Sequence, residues 1–139
     1  MMKKFEQMKE AHANIYEIMK ETEVLLKDVE ANAGMISKNI SKLAGVLKIH
    51  LSNEDRFLYP KMKENADTKL KRLATQYENE MGELSPVFMA FKDKYNTSSK
   101  ILSQLDNAEK EIKDVFNKVR KRMDKEDHEL YPLAENVMR

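Results

Sequence analysis

The chain has no cysteine, which excludes disulfides, thiolate metal sites and a cysteine nucleophile, so any metal must be held by nitrogen and oxygen. Glycine and proline are scarce, three of each in 139 residues, while hydrophobic residues make up 41% and charged residues 35%. That balance belongs to long amphipathic helices and not to sheets or disordered segments. Surplus charge is missing too. Lys and Arg number 25 against 24 Asp and Glu, a formal +1, which supplies no long-range field for nucleic acid or an anionic membrane. No apolar run approaches the ~20 residues of a membrane span, and the opening Met1-Met2-Lys3-Lys4-Phe5-Glu6 lacks the apolar stretch of a secretory leader. A cytoplasmic protein with neither nucleic acid nor membrane as partner is the expectation. The length suits one domain over residues 1–139, since single cores run to about 100–150 residues.

What is present is four apolar stripes at helical spacing. The first runs Phe5, Met8, Ile15, Met19 and Leu26, with His12 at the missing step. Ala31-Asn32-Ala33-Gly34 reads as a helix stop, after which Ile36, Ile40, Leu43, Leu47, His50, Glu54 and Phe57 form the second stripe. The third starts after Asn65-Ala66-Asp67 and carries Leu70, Ala74, Tyr77, Met81, Leu84, Phe88 and Phe91, with a kink expected at Pro86. Beyond the polar Asn96-Thr97-Ser98-Ser99 come Leu105, Ala108, Ile112, Val115, Val119, Arg122, Glu126 and Leu130. Four such stripes with short connectors bury their faces most simply as an all-α, up-down-up-down antiparallel four-helix bundle.

An internal repeat links the second and fourth stripes. His50 to Pro60 aligns with Arg122 to Pro132, and both copies end in Glu-Asp-x-x-Leu-Tyr-Pro. Each helix is expected to stop or kink at its proline, because the residue before proline is driven away from the α region. The alignment sets Glu54 and Glu126 at equivalent depths in the core register. Buried carboxylates need a proton, a paired cation or a metal. His50 and Glu54 stack on one face at i,i+4, as do Arg122 and Glu126, and His12 can meet them from the first helix. Imidazole and carboxylate projecting from facing helices suit a non-haem iron or manganese ion. Each residue also has a plainer reading: His12 as a satisfied core histidine, His50–Glu54 as an intrahelical hydrogen bond, Arg122–Glu126 as an i,i+4 ion pair. The methionines on the stripes read as core filling, and His128, two residues past Glu126, as solvent-exposed.

The order of these elements, from about Phe5 to Leu133, resembles the hemerythrin-like, or cation-binding HHE, domains. That family places one His on the first helix, His-x-x-x-Glu on the second, one or two His on the third and His-x-x-x-Glu or a similar pair on the fourth. Here His12, His50, Glu54 and Glu126 match, whereas Tyr77 and Met81 stand where helix-three imidazoles belong and Arg122 stands at the helix-four His. The resemblance implies a complete subsite of His12, His50, Glu54 and Glu126 beside one without nitrogen ligands. It implies either a mononuclear site on those four residues or a relic in which Arg122 replaces the second cation and pairs with both glutamates, with Tyr16, Tyr77 and Met81 flanking the site. Glu80 or Glu83 would be the reserve ligands of the third helix.

Three functional readings follow from the resemblance. The first is a non-enzymatic protein with at most one iron-like ion, for iron or oxygen sensing, storage, or binding of dioxygen or a related small molecule. The second is a metal-free bundle whose buried Arg-Glu-His network serves interaction or regulation. The third is a small redox enzyme acting on peroxide or nitric oxide.

Overall fold

The computed structural model describes residues 2–138, and of residues 2, 3 and 81–83 the backbone alone. All regular structure among the described residues is helical, and four long arms form a helical bundle. The first arm is α1, Met2–Leu25, ending in a 3-10 turn at Leu26–Asp28. The second is α2, Val29–Asn53, continued through a π turn at Glu54–Leu58 into α3, Tyr59–Glu64. The third is α4, Thr68–Tyr95. After the short α5, Ser98–Leu102, the fourth comprises α6, Leu105–Lys125, a π turn at Glu126–Leu130, and α7, Tyr131–Val137. No described helix is long and apolar enough to cross a membrane.

Side-chain caps fix where the second and third arms begin. Asp28 leaves the helical region at φ −142°, ψ 83°, and its carboxylate accepts the Ala31 N–H, so the break falls there. The stop expected at Ala31 to Gly34 is thus displaced: those residues lie inside α2, because an aspartate cap satisfies the free amides of a helix start. Asp67 caps α4 by accepting from Leu70, and Thr97 caps α5 by accepting from Lys100. Pro86 lies within α4, which remains helical through it.

The two Tyr-Pro sequences behave differently from the expected stops. Tyr59 sits at φ −60°, ψ −41° and Tyr131 at φ −64°, ψ −43°, both helical despite the following proline. The chain instead widens. The Tyr59 N–H donates to the Glu54 carbonyl and the Tyr131 N–H to the Glu126 carbonyl, five residues back, which admits one extra residue just before a proline that lacks an N–H. The extra residue shifts the inward face. Phe57, expected in the core, is 48% exposed, and Leu58 and Tyr59 are buried in its place.

Two apolar clusters fill the interior. One gathers residues such as Ile15, Ile40, Leu47, Phe88, Ile112, Phe116 and Met123; the other holds Phe5, Met8, Leu58, Met62, Leu70, Tyr77 and Leu130. Each large apolar side chain so buried stabilises the fold by roughly 1.5–3 kcal/mol. Leu105, placed on the fourth stripe by spacing, is 37% exposed at the first turn of α6. Between the clusters, in chain order on each contributing arm, lie His12, His50, Glu54, Arg122 and Glu126, all buried.

Candidate metal centre

His12 comes from α1, His50 from the last turn of α2, and Glu54 and Glu126 from the first positions of the two π turns. One donor atom of each of these four residues lies within 4.8 Å of every other. His12 Nε2 approaches His50 Nε2 at 2.9 Å and Glu126 Oε1 at 3.2 Å, while His50 Nε2 also contacts Glu54 Oε1. Behind His12, Nδ1 meets Asp127 Oδ1 at 2.7 Å. A carboxylate at Nδ1 holds the proton there and turns the Nε2 lone pair toward the centre, the orientation a metal-binding imidazole requires.

The π turns position two tyrosines that residue spacing alone leaves off the site. Because five residues, and not four, complete the widened turn, Tyr59 stacks beyond Glu54 and Tyr131 beyond Glu126. Each hydroxyl then reaches across the core to the other glutamate: Tyr59 donates to Glu126 Oε2 at 2.8 Å and Tyr131 to Glu54 Oε1 at 3.1 Å. Tyr131 also stacks on the His12 ring, with centroids 5.3 Å apart. This crossed exchange is the tertiary expression of the sequence repeat. Among the described residues, Glu54 Oε2 nevertheless remains buried without a hydrogen-bond partner, and Glu126 Oε1 has no partner but the imidazoles, with His12 Nε2 at 3.2 Å. Such atoms are costly in a core and are the acceptors a cation would satisfy.

The electrostatics agree with the geometry. Burial disfavours the charged form of His50, but Glu54 and Glu126 outweigh it and raise the pKa to about 10. His12 is likewise opposed by burial and raised by its hydrogen bonds to Asp127 and Glu126. Burial pushes Glu54 up to about 7, with the Glu126 charge adding to the rise. Burial acts on Glu126 in the same sense, yet hydrogen bonds from His12 and His50 prevail and hold its carboxyl well below the usual range. Burial and the two carboxylates raise Tyr59 and Tyr131 far enough to keep them as hydrogen-bond donors.

Arg122 does not do what the resemblance implied. Its guanidinium ion-pairs with Glu80 of α4, not with Glu54 or Glu126, and lies 4.5 Å from the centroid of the Tyr77 ring. Its side chain leans toward α4, where a partly exposed carboxylate is available at far less desolvation than the two enclosed ones. A single Arg-Glu-His network is therefore not formed: the histidines serve the glutamates, and the arginine serves Glu80. Tyr77 packs in the core and donates to Glu129, so its hydroxyl is turned from the four donors. Tyr16 packs against the apolar cluster beside a surface groove shared with Arg120 and Asp124, and its hydroxyl makes no hydrogen bond to the four donors. Burial and the Asp127 charge raise its pKa to about 12. The side chains of Met81 and Glu83 lie outside the described part of the structure. His128 is exposed and pairs with Asp124 at 3.2 Å.

Spacing in the sequence did not single out Asp127, Tyr59 and Tyr131. The repeated Glu-Asp-x-x-Leu-Tyr-Pro contained all three, and its double occurrence was the available signal. Two buried imidazoles and two buried carboxylates converging on one point form a nitrogen-and-oxygen donor set able to hold a metal ion. No curated protein and no solved structure matches the chain. The hemerythrin HHE cation binding domain matches residues 3–134, nearly the whole length, and the chain belongs to that family.

Proposed function

We propose that the chain is a non-enzymatic iron-binding bundle, its arms running up-down-up-down, that holds one iron-like ion on His12, His50, Glu54 and Glu126 for sensing, storage or binding of a small oxygen species. The observation that carries this reading is the convergence of the four donor atoms, with Glu54 Oε2 buried beside them without a partner among the described residues. Asp127 meets His12 at Nδ1, which turns Nε2 toward the centre, and the crossed tyrosines donate hydrogen bonds to both carboxylates. A bound iron-like ion would supply redox chemistry at these four donors. Arg122 supports a limit of one ion. Its guanidinium offers no lone pair to a metal, its place in the repeat is that of His50, and Glu80 and Tyr77 hold it.

Anaerobic titration with ferrous iron, followed by elemental analysis after desalting, tests the reading. One ion per chain, lost in His50→Ala and in Glu126→Leu, is the expected result. Two tightly held ions would overturn the one-ion limit, and none would overturn the metal reading altogether.

A further inference from the structure

Outside the buried donor layer, a cleft of about 490 Å³ opens between α4 and α6, lined by Glu80, Leu84, Val87, Lys118, Lys121, Arg122 and Lys125. Among the described side chains, four cations against one carboxylate leave it a formal surplus of three positive charges, on a chain whose total is +1. Cations near the end of a helix are commonplace because they complement its carbonyl end. That explains Lys125 but not Lys118, two turns further in.

The floor of the cleft separates it from an ordinary solvated face. Arg122 is 7% exposed, one guanidinium nitrogen is taken by Glu80, and Nη1 is buried with no partner among the described residues. A buried guanidinium nitrogen without an acceptor carries a desolvation cost that an incoming anion removes. The Tyr77 ring lies 4.5 Å from the guanidinium carbon and holds Arg122 at the wall of the cleft. Opposite the lysines, α4 contributes Leu84 and Val87, and Val87 is 43% exposed. The size lies within the range of small-molecule sites and well above that of a bare ion.

The geometry points to a second ligand site in this cleft, for a small amphiphilic anion whose acidic head meets Arg122 and the rim lysines and whose apolar body lies on Leu84 and Val87. Nothing in the site requires an ion at His12, His50, Glu54 and Glu126, so it stands or falls apart from the metal reading.

Phenyl phosphate, inorganic phosphate and benzyl alcohol are suitable probes, titrated into the full chain while backbone amide shifts are followed by NMR. Phenyl phosphate is expected to saturate with a Kd of about 1 mM or tighter, with shifts centred on α4 and α6 around the cleft. Inorganic phosphate, lacking the apolar body, should bind about tenfold more weakly, and benzyl alcohol should not saturate. Arg122 is itself part of the core, so the decisive variants are on the rim. Lys118→Ala with Lys125→Ala should weaken phenyl phosphate about tenfold, and Val87→Asp should abolish saturation, with the spectrum of the fold retained. No saturable binding by about 10 mM, or binding untouched by Val87→Asp, would overturn the site. Equal affinity for phenyl phosphate and inorganic phosphate would overturn its amphiphilic character.

Discussion

The two sides of the polar layer share a backbone and differ in what their cations can do. On one side α1 and α2 bring His12 and His50 within 2.9 Å, next to both glutamates. On the other, α4 and α6 bring Tyr77 and Arg122 together, with Glu80 closing the ion pair. An imidazole can give up its proton and offer a lone pair to a metal, whereas a guanidinium in a protein stays charged. The first side therefore carries an exchangeable positive charge and the second a permanent one. The flanking aspartates follow the same division: Asp127 orients His12, while its repeat equivalent Asp55 is exposed and meets no imidazole among the described residues. Duplicated helical geometry does not by itself make a duplicated site; the residue at the position of His50 or Arg122 decides.

The largest expected effect is on the exchangeable side. Glu126→Leu strands the Tyr59 hydroxyl and removes the shared acceptor of His12 and His50, and should cost about 3–5 kcal/mol in chemical denaturation of the metal-free chain. A loss below about 1 kcal/mol would mean that the two histidines do not depend on it. Next come the crossed tyrosines, where Tyr59→Phe and Tyr131→Phe each remove a hydrogen bond to a buried carboxylate and should each cost about 1.5–3 kcal/mol. A twofold-like layer predicts similar losses for the two, and a neutral result for one would break the symmetry. On the permanent side, Arg122→Met should cost only about 1–2 kcal/mol, because Glu80 is 39% exposed and rehydrates when its partner is removed. Arg122→His should instead raise ferrous affinity in the anaerobic titration, by exchanging the fixed charge for a nitrogen donor. The smallest effect belongs to Lys94 and Glu111, far from the layer. Burial opposes ionisation of Glu111, yet hydrogen bonds from Lys94 and Tyr95 hold its pKa below the ordinary value. A depressed carboxyl contributes stability that is full above its unfolded pKa and lost as pH falls through the folded one. Lys94→Ala should flatten that acid limb by no more than about 1 kcal/mol, since the pair is largely solvated.

Residue spacing by itself determined the helical stripes, and with them the burial of His12, His50, Glu54 and Glu126, because a 3.6-residue period assigns each side chain to a face irrespective of its partners. Composition determined that any metal donors are nitrogen and oxygen. Tertiary structure decided the rest. Whether Glu-Asp-x-x-Leu-Tyr-Pro ends a helix or widens it depends on what the widened turn can bury and bond, so the exposure of Phe57 and the inward reach of Tyr59 and Tyr131 were fixed only when the arms met. The partner of Arg122 was likewise a choice among Glu54, Glu126 and Glu80. It fell to Glu80 because a half-exposed carboxylate forms an ion pair at lower desolvation cost than an enclosed one, and that comparison exists only in the folded core.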